Sequence, residues 1–459
     1  MRKLAGRLHA RMGDFWWYSL MLFAATRAAD LLNAFVGLWL VPKFVSPDEL
    51  GAVMPLATFA TFLSFPAVAF ANTFRNEVSR LSVNGEFGKL KSLMRGVFIA
   101  TAVFLVFAVA VAHFTLPAFL ERIRIQKGML GVIIVTASFL GMAAPVYGCA
   151  MQALKKFRQQ SIINIVTAPV RFLAMVVTMP FRPLSGYFVG QASVPSFLIL
   201  GSVVCLRKEL SVKAEPYWDR STARKFISIF AVFLAAGLAT GLFSLVETTV
   251  IRQRLPALDS AGYYMATRFS EISGFLIATL TFTIFPFSAE KAASGGDFRP
   301  IVFKSLGVNA VFCAALALAF GIFGKPLLAL LPYGEQYSAY WWAIPWLIAI
   351  GYLAAITGIY MTAQLAARRF AFLKWMIPFD LAYPALLAAV TGYGHFTGFI
   401  PASWTEFLAA HNVRSLETML WWMLAANAVK AACCLLSLLK SGPSPAPCGE
   451  NPPTGARRA

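Results

Sequence analysis

Charge is scarce in these 459 residues: 13% are Asp, Glu, Lys or Arg and 59% are hydrophobic, where a soluble globular chain has about 25% and 45–50%. That balance excludes an ordinary soluble enzyme or binding module, and a mean hydropathy of +0.68 makes lipid the solvent for most of the chain. Acidic residues are the scarcest charges, 20 against 40 basic ones, for a formal charge of +20. The excess does not point to nucleic acid, because Lys and Arg sit in short clusters between apolar runs rather than on one face or in a basic domain. Cysteine is sparse and unpatterned. Cys149, Cys205, Cys313, Cys433 and Cys434 lie in or beside apolar segments and Cys448 near the end, with no CxxC, which excludes a zinc site or disulfide framework and reads as small apolar filler. His113, His395 and His411 are isolated, so no metal site is expected. There is no GxxxxGK[ST], hence no P-loop, and no cofactor is expected.

What is present is a series of apolar stretches of about 20 residues, the length that crosses a bilayer. They predict spans near 15–41, 50–74, 96–120, 129–152, 162–180, 184–206, 226–251, 261–287, 305–324, 340–365, 375–393 and 417–439. The first is too long for a signal-peptide core and lacks a small-residue cleavage site, so it reads as a span. Of the 40 Lys and Arg, twenty-seven fall in the ends and connections on one side and nine on the other. This bias predicts that both termini are cytoplasmic. Pro401 and Ser403 to Glu406, in the longest outer connection, resemble a capping box opening a short interfacial helix.

The chain also repeats itself. Sliding it by 211 residues lays Asp48, Gly51, Met54, Ala67, Phe74, Gly85, Phe87, Gly96 and Val97 on Asp259, Gly262, Met265, Ala278, Phe285, Gly296, Phe298, Gly307 and Val308 without a gap. The second copy therefore restarts near Lys225. The expected organisation is an N-terminal six-helix lobe at 1–206, a basic cytoplasmic linker at 207–225, a C-terminal six-helix lobe at 226–440 and a disordered tail at 441–459 rich in proline. Six is even, so both copies enter the membrane from the same side, as parallel repeats about an axis along the membrane normal. The predicted fold is an all-α integral membrane protein of about twelve helices in two lobes with a central cavity between them.

The segments VSPDELGAVMPLATF, LDSAGYYMATRFSEISGFLIATLTFTIFPFSAE and LPYGEQYSAYWWAIPWLIAIGYL resemble the polysaccharide or oligosaccharide flippases of the multidrug/oligosaccharidyl-lipid/polysaccharide exporter superfamily. The resemblance implies alternating-access translocation of an undecaprenyl-pyrophosphate-linked oligosaccharide across the inner membrane, in contact with membrane lipids and with polysaccharide polymerase machinery. It also implies cationic residues in the central cavity.

Eight ionisable residues fall inside the predicted spans: Arg27, Asp30, Arg171, Glu247, Arg268, Glu271, Asp380 and Lys430. Each costs about 2.5–3.5 kcal/mol at a helix centre on insertion scales, so such residues are paired or functional. Arg27 with Asp30 and Arg268 with Glu271 have the i,i+3 spacing of ion pairs on one helix face. The alternative reading puts Arg27, Arg171 and Arg268 in the cavity, where guanidinium forks bind pyrophosphate, and gives Asp30, Glu247 and Glu271 a coupling role for H+ or Na+. Thr240, Ser244, Glu247, Thr248 and Thr249 form a polar stripe on span 7 that lines a pathway or packs helices. Asp380 is expected at a membrane interface, and Lys430 is expected to snorkel to the cytoplasmic surface.

Two other classes remain in view. An ion-coupled multidrug antiporter shares the plan but favours a cavity rich in carboxylates. A membrane polymerase or ligase needs a large outer loop, and the longest here, about His395 to Arg414, has no room for one. A peptidoglycan-precursor flippase would have two further C-terminal spans. The chain is therefore expected not to be an enzyme.

Overall fold

The computed structural model describes residues 27, 29–125, 128–154, 156–293, 296–366, 369–391 and 413–440. The expected interfacial helix at 403–408 and the tail at 441–459 lie outside them. Among the described residues twelve long helices follow one another: α1 (29–44), α2 (Pro47–Val83), α3 (Phe87–Arg122), α4 (Gly128–Ala153), α5 (Phe157–Thr178), α6 (Pro183–Leu206), α7 (Arg220–Arg254), α8 (Ala257–Ala293), α9 (Arg299–Ala329), α10 (Ala343–Ala366), α11 (Leu373–Val390) and α12 (Leu416–Lys440). Eight of them carry described stretches long and apolar enough to cross a membrane.

Several helices outrun the apolar windows that announced them. At 37 residues, α2 and α8 each measure about 55 Å at 1.5 Å per residue, well beyond a hydrocarbon core of about 30 Å. Local chemistry sets their starts. Ser46 accepts from the backbone N–H of Glu49 and of Leu50 through its hydroxyl and carbonyl oxygens, Pro47 needs no partner in the first turn, and Asp48 and Glu49 face the positive end of the helix. In α1 the residues Val36–Leu40 widen into a π-helical turn closed by the N–H of Val41 on the carbonyl of Val36, immediately before Pro42. Such turns are usually single and often mark functional sites.

The repeat appears in the packing. α2 packs on α4 as α8 packs on α10, α4 on α6 as α10 on α12, and α3 on α4 as α9 on α10. The symmetry weakens in the last two helices of each half, since α5 lies along α6 whereas α11 leans mainly on α7. The halves meet through α2, which packs on α7 and α8, and through the π turn of α1, which packs on α8.

That meeting is concentrated at one end. Among the described residues, one buried apolar cluster runs across both halves, from Leu40, Leu50 and Leu56 to Ile251, Tyr264 and Leu347. At the opposite ends of the helices the buried residues form two clusters, one per half, around Phe74, Leu90 and Ile163 and around Val302, Ile359 and Leu438. Lipid removes the hydrophobic drive between helices, so close approach and hydrogen bonds hold the shared end. A Cβ on Gly51 would lie 2.6 Å from Ser260 Cβ, so only glycine admits α8 there. Arg252 Nε donates to the carbonyl of Ile123 at 3.1 Å, and Arg124 Nη2 to that of Gln253 at 3.2 Å.

At the other end the segment between α6 and α7 straps onto the N-terminal half. Glu215 N–H donates to the Gly88 carbonyl, Lys91 Nζ to that of Val212, and Lys156 pairs with Glu209 at 2.7 Å. Partial burial works to raise the Glu209 carboxyl, but the Lys156 ammonium outweighs it and holds the group below the usual range.

Candidate functional site

Midway along the contact between the halves, α1, α5, α6 and α8 enclose a cavity of about 240 Å³. Its walls are polar and charged. From α1 come Asp30, Asn33 and Gly37, spaced i, i+3, i+7 and so on one face; from α8 come Tyr264, Arg268 and Glu271 at i, i+4, i+7. Arg171 of α5 and Tyr187 of α6 complete it.

The charges are partly satisfied among themselves. Arg27 Nη1 lies 3.0 Å from Asp30 Oδ2, and Arg268 Nη1 donates to Glu271 Oε2 at 2.9 Å, so both i,i+3 spacings form ion pairs. Arg268 Nη2 also points at Met54 Sδ, 3.0 Å away on α2, and its guanidinium lies over the Tyr264 ring at 5.0 Å. The Tyr264 hydroxyl donates to the Gly37 carbonyl at 3.2 Å, tying α8 to the π turn of α1. Gly37 has no Cβ to hold off the Arg268 stem, which fills that space.

Arg171 is different. Its Nη1 donates to Asn33 Oδ1 at 2.7 Å, and among the described residues it has no ion pair. Its Nε, like that of Arg268, is buried without a hydrogen-bond partner. Unmet buried donors on guanidinium groups are costly. Among the described residues, two guanidinium groups, Arg171 and Arg268, and two carboxylates, Asp30 and Glu271, line the cavity, and since each carboxylate is already paired with an arginine, Arg171 is left with spare N–H donors. An anion with several oxygens fits that deficit.

The cavity thus gathers Arg171, Arg268, Asp30 and Glu271, with Arg27 attached through Asp30. Glu247 is elsewhere. It is buried inside the C-terminal half, where the Tyr383 hydroxyl donates to Glu247 Oε1 at 3.0 Å. The expectations for Asp380 and Lys430 are corrected: both are buried, and Lys430 Nζ pairs with Asp380 Oδ1. Thr240 donates to Asp380 Oδ2 at 3.0 Å, and the ammonium lies 5.2 Å from the centre of the Phe243 ring. Lys430 does not snorkel because a carboxylate on the neighbouring helix meets it inside the lobe, a partner that single-span reading cannot supply. The polar stripe on span 7 is likewise mostly internal. Thr240 serves Asp380, Thr248 and Thr249 bond their own helix, and only Ser244 is exposed.

Sequence reasoning missed Tyr187, Tyr264 and the π turn at Val36–Leu40. Tyrosines inside apolar runs carry no periodic signal, and the one available hint was Pro42 just after Gly37 in a helix otherwise continuous.

No family model matches the chain. No curated protein matches it in sequence either. Among solved structures the fold is similar to an inward-facing conformation of a multidrug resistance MATE family transporter of the MOP superfamily, with a TM-score of 0.65 at 10% identity over 91% of this chain and 94% of that one. It is similar to lipid II flippase MurJ in an inward closed conformation, with 0.62 at 12% over 92% and 87%. It is also similar to a mutant of the Vibrio cholerae MATE transporter VcmN, with 0.61 at 13% over 96% and 97%. At these identities the likeness establishes a shared fold: a multi-pass, two-lobed helical membrane protein.

Proposed function

We propose that this chain moves an undecaprenyl-pyrophosphate-linked oligosaccharide across the inner membrane by alternating access, with Arg27, Arg171 and Arg268 binding the pyrophosphate. The observation that carries the reading is the cavity between the halves, where each carboxylate is already paired with an arginine, Arg171 has no ion pair among the described residues, and the buried Nε–H donors of Arg171 and Arg268 lack partners. A pyrophosphate supplies the missing acceptors and charge. The orientation drawn from the Lys and Arg bias puts the shared apolar cluster outside and the separate clusters inside, which is an inward-open arrangement. Similarity to a protein described as a lipid II flippase supports the flippase reading, and similarity to a transporter described as inward-facing supports the inward orientation.

Moving the lobes apart breaks the contacts of Tyr264 with Gly37 and of Arg268 with Met54, which cross between the halves. Asp30 and Glu271 compete with the substrate for the same guanidinium groups and so favour its release. Glu247, held by one tyrosine hydroxyl beside a neutralised Asp380–Lys430 pair, is the carboxylate we assign to proton coupling, with Na+ as the other candidate ion.

The second reading, an ion-coupled multidrug antiporter, is favoured by the MATE structures among the neighbours. Deleting the gene separates the two. Lipid-linked oligosaccharide accumulating on the cytoplasmic leaflet supports the flippase, and drug sensitivity without that accumulation supports the antiporter.

A further inference from the structure

A second and larger cavity, of about 640 Å³, lies wholly within the N-terminal half, between α2, α4, α5 and α6. We infer that it is a sugar-binding subsite, taking an uncharged ring that bears hydroxyl groups, the residue attached to the pyrophosphate. The inference rests on the flippase reading for the identity of the whole substrate, but the chemistry of the cavity stands by itself.

Among the described residues, no Asp, Glu, Lys, Arg or His lines this cavity. Such a wall neither compensates a cationic drug nor binds a phosphate, since burying an unpaired charge costs too much. Its polar side chains are Thr61, Ser64, Ser138, Gln160, Asn164 and Gln191. The three hydroxyls give their protons to the carbonyls of Ala57, Ala60 and Ile134 at 2.8–2.9 Å, which leaves their oxygens as acceptors. Gln160 is only 8% exposed, and its Oε1 is buried with no partner.

Two prolines add to the set of acceptors. Pro145 and Pro195 lie inside α4 and α6, and a proline has no N–H for the carbonyl four residues earlier. Those carbonyls belong to Gly141 and Gln191, and both residues line the cavity. The wall is thus rich in acceptors, with the amides of Asn164 and Gln191 as donors. Sugar hydroxyls complement it, and a volume within the usual 300–1,000 Å³ of ligand pockets accommodates a ring.

The two cavities adjoin. Gln191 Nε2, in the uncharged cavity, donates at 2.8 Å to the hydroxyl of Tyr187, which lines the charged one. The Tyr187–Gln191 pair is thus a wall that the two cavities share, with the pyrophosphate assigned to one side of it and the first sugar to the other.

The test uses the full-length protein in lipid nanodiscs with two probes, undecaprenyl pyrophosphate and undecaprenyl-pyrophosphoryl-N-acetylglucosamine. Gln160→Leu removes the amide, and Gly141→Leu fills the space beside Ser64. The expected result is a tenfold or greater loss of affinity for the sugar-bearing lipid in each variant, with the affinity for undecaprenyl pyrophosphate unchanged. Retained binding of the bare lipid also shows that the variants are folded. Equal affinities of wild type and both variants for the sugar-bearing lipid, or equal losses for the two lipids, overturn the inference.

If wild type binds neither lipid, the pyrophosphate reading fails by itself, and saturation-transfer NMR with free N-acetylglucosamine decides the subsite. A signal abolished by Gln160→Leu supports it. No signal, or one unchanged in both variants, overturns it.

Discussion

Shifting the chain by 211 residues lays Ala57 and Ala60 of α2 on Arg268 and Glu271 of α8. The two alanines line the uncharged cavity of the N-terminal half, whereas Arg268 and Glu271 line the charged cavity between the halves. The contrast extends through the interiors. In the N-terminal half α2, α4, α5 and α6 surround an open space of small and neutral polar residues. In the C-terminal half Lys430, Asp380, Glu247 and Tyr383 fill the space between α7, α11 and α12. A repeat preserves the helix frame and the pairs of helices that pack, and leaves the side chains inside each lobe free to differ.

The sharpest way to break this comparison is Asp380→Ala. It strands the Lys430 ammonium in the C-terminal half and is expected to cost about 3–5 kcal/mol, read as a large fall in thermal stability of the purified protein. Pairing it with Lys430→Met should recover most of the loss. A single variant as stable as wild type would mean that the ion pair does not hold the lobe together.

Glu247→Ala should cost about 1–3 kcal/mol by leaving the Tyr383 hydroxyl unpaired. Glu247→Gln keeps a partner for that hydroxyl and should fold normally, yet lose the dependence of transport on a proton gradient in proteoliposomes. A glutamine variant that still responds to the gradient removes Glu247 from the coupling role.

Tyr264→Phe removes one hydrogen bond between the halves, worth about 1 kcal/mol. Spin labels on the two lobes should then report a several-fold shift toward the state in which the shared end is open. Smallest of all, Ser138→Ala should change stability by under about 1 kcal/mol, because it deletes a hydroxyl from a space that is already open.

Much of this was legible in the residues. The apolar windows announced the helices, and the 211-residue repeat announced two halves of six helices each. The i,i+3 spacings of Arg27 with Asp30 and of Arg268 with Glu271 announced two ion pairs. Contacts between distant spans were not legible. Nothing in a single helix tells that Asp380 meets Lys430, or that Arg171 meets Asn33 of α1, because such pairs depend on register and rotation fixed by packing across the lobe. The uncharged cavity was invisible for the same reason. Alanine, glycine and serine on α2 and α4 read as packing residues until these helices are assembled with α5 and α6 around a gap. Helix ends were also misjudged, since α2 and α8 continue as helices beyond their apolar windows, where hydropathy no longer reports on them.

The central claim is that Arg171 and Arg268, between the halves, hold the pyrophosphate of a lipid-linked substrate. Its most direct test is flipping of an undecaprenyl-pyrophosphate-linked oligosaccharide in liposomes containing the purified protein, comparing wild type with Arg171→Ala. The account predicts rapid flipping by wild type and a loss of about a hundredfold in the variant, with the variant folded and inserted. Equal rates for the two proteins, or no flipping by wild type where it exports a cationic drug, would contradict it.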